Sequence, residues 1–179
     1  MRALTYCLSS LLYIFVGSAA FAQPPIPDQQ QKFLSLLDDF AARYKAAPNE
    51  MAQGALRPQR AKAICTLIKN PRVTNWVGTV QKLSSNNEGK GILYVSMSRI
   101  ANANTWNSAL SDMGDRTLIQ PGTKLHEAAI QLSRKQTIIF SGTFVGSDKD
   151  CFKESSLTQR GTMTNPDFIF RFSSVKPAE

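Results

Sequence analysis

The stretch from Val73 to Arg99, VTNWVGTVQKLSSNNEGKGILYVSMSR, constrains the fold more than any other part of the chain. Val73–Leu83 alternates as a strand does, with Trp76, Val80 and Lys82 on one face and Val73, Val77, Thr79 and Leu83 on the other. Ile92–Arg99 alternates in the same way, setting Leu93, Val95 and Met97 against Tyr94, Ser96 and Ser98. Between them, Ser84–Gly91 is polar and holds Asn86-Asn87 and two glycines, residues suited to the positive φ of a hairpin turn. Gly78 falls in mid-strand, where glycine marks a bulge or a sharp coil. A small closed barrel needs such a bend in a long strand.

The rest of the chain supplies partners for that hairpin. From Gln29 to Ala47 the apolar residues Phe33, Leu36, Leu37, Phe40, Ala41 and Tyr44 recur every three or four positions, which predicts an amphipathic helix. Asp28 is its expected cap, and Pro48-Asn49 its end. Met51–Leu56 reads as a second short helical or irregular piece stopped near Pro58, and Ala61–Ile68 as a further helix ended by Asn70-Pro71. Past the hairpin, Ala103–Trp106 reads as a short third strand and Asn107–Gly114 as a loop. Thr123–Leu132 reads as a helix capped by Thr123. Thr137–Val145, TIIFSGTFV, is the strongest strand signal and has its own mid-strand glycine, Gly142. Gly146–Pro166 is a long polar connection. Asp167–Val175 is a last strand, with Phe168, Phe170 and Phe172 pointing one way and Ile169 and Arg171 the other.

The prediction is one α+β domain: a helical layer over residues 23–72, then strands and one helix in the order β-β-β-α-β-β over 73–179. That is the order of a five-stranded OB-fold barrel. The pieces NWVGTV, GKGILYVSM, IIFSGTF, ESSLT, GTM and PDFIFRF, in that sequence, also resemble exported bacterial proteins of the tRNA_anti-like group. The resemblance runs from about Ala61 to Pro177 and is carried most by Trp76-Val77-Gly78, Phe140-Ser141-Gly142 and Pro166-Asp167-Phe168-Ile169-Phe170. It implies an OB-fold related at a distance to anticodon-binding modules, and it brings no established catalytic residues to transfer.

The N-terminus points to export. Met1-Arg2 precedes an apolar run from Leu8 to Phe21 that closes on Ala20-Phe21-Ala22, the pattern of a signal peptide cleaved after Ala22. As a membrane anchor the run falls short of the ~20 residues a span requires. The expected location is periplasmic or secreted. Cys7 leaves with the leader, so Cys65 and Cys151 remain, and an exported pair invites one disulfide, the alternative being two free buried thiols.

Loss of Arg2 takes the formal charge of +8 to +7, but the basic residues are scattered and form no block. His126 is the chain's one histidine. With two cysteines it makes too few ligands for a dedicated zinc site, and no phosphate loop or G-x-S-x-G elbow occurs. No cofactor is expected. Asp112, Asp115 and His126 are the residues an enzyme reading would have to use; their more ordinary roles are turn, cap and packing. A binding reading has more to work with. OB-folds take extended ligands over strands 2 and 3, and Lys82, Tyr94, Arg99 and Trp106 are the residues expected to form that face. The expectation is a binding module without chemistry of its own, its partner a protein or an anionic polymer in the envelope. The alternative is a binder of single-stranded nucleic acid.

Overall fold

The computed structural model describes residues 24–178, so the expected leader and its cleavage point lie outside the described residues. Helix α1, Asp28–Ala46, buries Phe33, Leu37, Phe40, Ala41 and Tyr44, the stripe read from their spacing. Pro27, not Asp28, holds the cap position, and Asp28 lies in the first turn, where its charge complements the helix dipole.

Helix α2, Glu50–Leu67, is continuous where the sequence predicted two pieces. The side chain of Asn49 caps it by accepting from the Ala52 amide. Pro58 costs such a helix roughly 3 kcal/mol, yet it faces solvent while Leu56, Arg60 and Ile64 are buried on the opposite side. Tertiary burial of that face outweighs the local stop signal.

The strands are β1 (Arg72–Ser85), β2 (Gly91–Ser96), β3 (Asn102–Asn104), β4 (Thr137–Phe144), β5 (Gly146–Ser147), β6 (Cys151–Phe152) and β7 (Asp167–Pro177). Helix α3 is Lys124–Ile130 and α4 is Gln159–Thr164. Five strands close a barrel in the order β1-β2-β3-β7-β4. Every pairing in it is antiparallel except β3 with β7. With α3 between β3 and β4, this is the OB-fold arrangement. The third strand ends before Trp106, and the supposed polar loop of 146–166 contains the β5–β6 hairpin and α4.

Two irregularities give β1 its bend. Asn75 takes φ 55° at a register shift between Val73 and Trp76, so both of those residues enter the core, where simple alternation put them on opposite faces. Gly78 passes so close to β2 that a Cβ would sit 2.5 Å from Val95 Cγ1 and 2.8 Å from the Ser96 carbonyl oxygen. Gly142 adjoins the register shift of β4 against β7, and a Cβ there would run into the Arg171 carbonyl.

The barrel interior is aromatic. Phe168, Phe170 and Phe172 are buried beside Phe140 and Phe144, while Arg171 is exposed. Phe33 of α1 closes one end, its ring 5.3 Å from Trp76 and 5.4 Å from Phe168. Ile169 points the other way and is nevertheless buried, because the 146–166 connection lies against β7: the Ile169 amide donates to the Lys153 carbonyl. A smaller cluster of Phe40, Tyr44, Leu56 and Met163 ties α1 and α2 to α4. Cys65 of α2 is disulfide-bonded to Cys151 with their Cα atoms 5.6 Å apart.

Candidate binding face

The outer face of β1, β2 and β3 carries one continuous row. A register shift between Val80 and Lys82 brings Lys82 opposite Tyr94, and Tyr94 is in turn opposite Asn104. Directly opposed residues point to the same side of a sheet, and Trp106 follows two positions after Asn104. These four side chains line a groove of about 480 Å³ whose far wall is Ser155 and Leu157 from the connection before β7. A second hollow shares Lys82, Ile92 and Asn107 with it and continues under the β1–β2 turn to Glu88. Leu157 is 100% exposed.

The two rings are held by their polar tips. The Tyr94 hydroxyl donates to Asp167 Oδ1, which also accepts from Asn102 Nδ2 at 2.8 Å. Burial and this carboxylate push the Tyr94 phenol well above its ordinary pKa, so it stays a donor. Trp106 Nε1 donates to Asp115 Oδ2 at 2.8 Å, and Lys153 Nζ donates to both oxygens of Asp115 at 2.8 Å. Burial works against the Asp115 charge, but the bonds from Lys153 and Trp106 more than offset it and hold the carboxyl below its usual range. Asn104 Nδ2 donates to the Thr105 carbonyl, whereas its buried Oδ1 has no partner among the described residues.

Of the four residues expected on this face, Lys82, Tyr94 and Trp106 come together and Arg99 does not. The second strand stops at Ser96, short of the predicted Arg99. The Ser98 hydroxyl then accepts from the Ala101 amide in a tight turn that carries Arg99 out to solvent, outside the groove. The residues of the enzyme reading are put to different uses, although Asp112 and Asp115 share one loop and the Asp115 amide donates to the Asp112 carbonyl at 3.1 Å. Asp112 accepts from Thr117 N at 2.6 Å, Thr117 Oγ1 at 2.7 Å and Leu118 N at 3.2 Å, which makes it the internal tie of its loop. Asp115 serves Trp106 and Lys153. His126 lines a different groove of about 430 Å³, with Leu83, Gly91, Ile119 and Ala129. Among the described residues no three His, Cys, Asp or Glu side chains gather as a metal site, and no helix is long and apolar enough to cross a membrane.

Sequence reasoning missed Asn104, Ser155 and Leu157. It also missed an ionic clasp beside the disulfide. Arg57 makes a two-bond pair with Asp150, both contacts at 2.7 Å. Arg60 is 1% exposed and bonds Glu154 and the Thr162 carbonyl. Burial pushes the Glu154 carboxyl up to about 7, with Arg60 offsetting only part of the penalty. Signals were present: the two arginines lie three apart on one helix, a spacing that shares a face, and the two acids flank Cys151.

Comparison with protein-family models, curated proteins and solved structures gives no match. The fold assignment rests on strand order, pairing direction and barrel closure.

Proposed function

We propose that the mature chain works outside the cytoplasmic membrane as an OB-fold binding module, and that it seats an extended polypeptide segment across Lys82, Tyr94, Asn104 and Trp106. The observation that carries this reading is the groove on the β2–β3 face, floored by ordered aromatic rings and walled by the fully exposed Leu157. A leucine held entirely in water beside two aromatic rings favours an apolar side chain as guest. The signal-like N-terminus and the resemblance to exported tRNA_anti-like proteins support the location.

A single-stranded nucleic acid is the second reading, favoured by the formal charge of +8 and by the pairing of Lys82 with two aromatic rings. Against it, Lys82 is the one cation among the residues lining this groove. Panning a random peptide display library on the oxidised domain, with Leu157→Asp as counter-screen, tests the proposal. Peptides that bind the parent and are lost with Leu157→Asp support it. Failure to select any peptide, together with oligonucleotide binding that weakens steeply with salt, replaces it with the second reading.

A further inference from the structure

We propose that the Cys65–Cys151 disulfide sets the shape of this groove, so that the face is regulated by thiol–disulfide exchange; this rests on the binding reading above. The groove wall and the disulfide belong to one short strap, Asp150 to Leu157. On its helix side the strap is fixed by three links to α2: Asp150 to Arg57, Cys151 to Cys65 and Glu154 to Arg60. On its other side it holds both aromatic rings of the groove at one remove. Lys153 grips Asp115, the carboxylate that holds the Trp106 indole. The Ser155 amide donates to the Asp167 carbonyl and the Asp167 amide donates to Ser156 Oγ, and the Asp167 carboxylate holds the Tyr94 hydroxyl. Leu157, at the end of the strap, is the rim itself.

The strap is also the segment with a reason to relax. Cys151 has φ 68°, the left-handed region that a side chain other than glycine or asparagine rarely takes. Such a residue stays there only while its surroundings over-determine it. The disulfide is the covalent part of that constraint, and Cys65 is exposed. Reduction needs a dithiol. Its thiolate attacks one sulfur of the bond, the other leaves as a thiolate and takes a proton, and the second thiol of the reagent resolves the mixed disulfide. Two electrons and two protons pass to the protein, and the reagent is left as its own disulfide. Cys151 is then free to return to ordinary backbone angles, carrying Lys153 and Ser155 with it.

The test needs no ligand, so it is separable from the binding reading. Backbone hydrogen exchange is followed by NMR in oxidised protein, in protein reduced with dithiothreitol, and in the Cys65→Ser/Cys151→Ser variant. Without the bond, the amides of Lys153, Ser155 and Asp167 and the Trp106 indole are expected to exchange at least about tenfold faster through a local opening that low denaturant leaves unchanged, while the barrel amides of Val80 and Leu93 speed up only through the denaturant-dependent global unfolding that loss of the bond makes easier. Lys153→Met in oxidised protein is expected to speed the Trp106 indole and leave Ser155 unchanged, which separates the strap from a general loss of stability. Strap exchange with the same denaturant dependence as the barrel amides, or unchanged rates in the strap, overturns the proposal. If the strap responds and no peptide ever binds, the binding reading fails and the coupling stands.

Discussion

Replacing Arg60 by methionine removes the partner of a carboxylate that has almost no access to water. The side chains of Arg60 and Glu154 are 2% and 3% exposed, and Arg60 Nε and Glu154 Oε2 have no partners among the described residues. A pair of this kind contributes little net stability, because desolvation consumes most of its attraction, but stripping one member costs about 3–5 kcal/mol by stranding the other. Arg60→Met should therefore lose about that amount in urea denaturation followed by circular dichroism near pH 8. Arg60→Met/Glu154→Leu should return to within about 1 kcal/mol of the parent, the residue being the unserved Thr162 carbonyl. The pH dependence has a definite sign. Glu154 titrates near 4.5 in the unfolded chain and about 7 in the fold, so the folded state holds a proton that the unfolded state has released. Its contribution is fully present below 4.5 and is lost as pH rises to about 7. Without Arg60 the folded carboxyl rises further, so the penalty of the single variant should shrink on acidification and be largest above pH 7. A single variant that costs under about 1 kcal/mol near pH 8, or a cost independent of pH, refutes the view of a dry and under-satisfied pair.

Other consequences follow from the same geometry. Cutting the Cys65–Cys151 bond, which spans 86 positions of sequence, should lower stability by about 4–5 kcal/mol in the chain-entropy treatment, read as a drop in the denaturant midpoint of the double serine variant. Gly142→Ala should destabilise by about 1–3 kcal/mol or more, since the new Cβ meets the Arg171 carbonyl and the Phe170 ring at a fixed barrel crossing; thermal unfolding measures it. Asp167→Asn removes the carboxylate that holds the Tyr94 hydroxyl, so the phenol should ionise at lower pH in an ultraviolet absorbance titration, while the barrel stays folded.

Much of the barrel was legible because period-two alternation and mid-strand glycines report backbone geometry directly. TIIFSGTFV became β4, and the Phe168, Phe170, Phe172 row became the lining. The failures have a common cause in long-range contacts. Pro58 reads locally as a stop, and no window of sequence shows that Leu56, Arg60 and Ile64 bury on the other side. Val73 and Trp76 share the core through the left-handed Asn75, a residue tolerant of that conformation but not predictive of it. The candidate face was half visible. Lys82 and Tyr94 lie on the hairpin, but their opposition depends on the shift at Gln81. Leu157, a lone leucine among polar residues, acquires meaning only when its connection folds across β3. Reading Arg99 onto the face extends β2 three residues too far, past the Ser98 hydroxyl that ends it.

The central claim is that the β2–β3 groove is where this protein binds, and that it takes polypeptide. Titrating the isotope-labelled oxidised domain with a display-selected peptide, and following its NMR spectrum, tests this most directly. The perturbed signals should gather on the Trp106 indole, the Asn104 side-chain amide, Tyr94 and Leu157, and should vanish in Trp106→Ala. Perturbation centred instead on His126 and the groove beside α3, with the β2–β3 face unmoved, would contradict it.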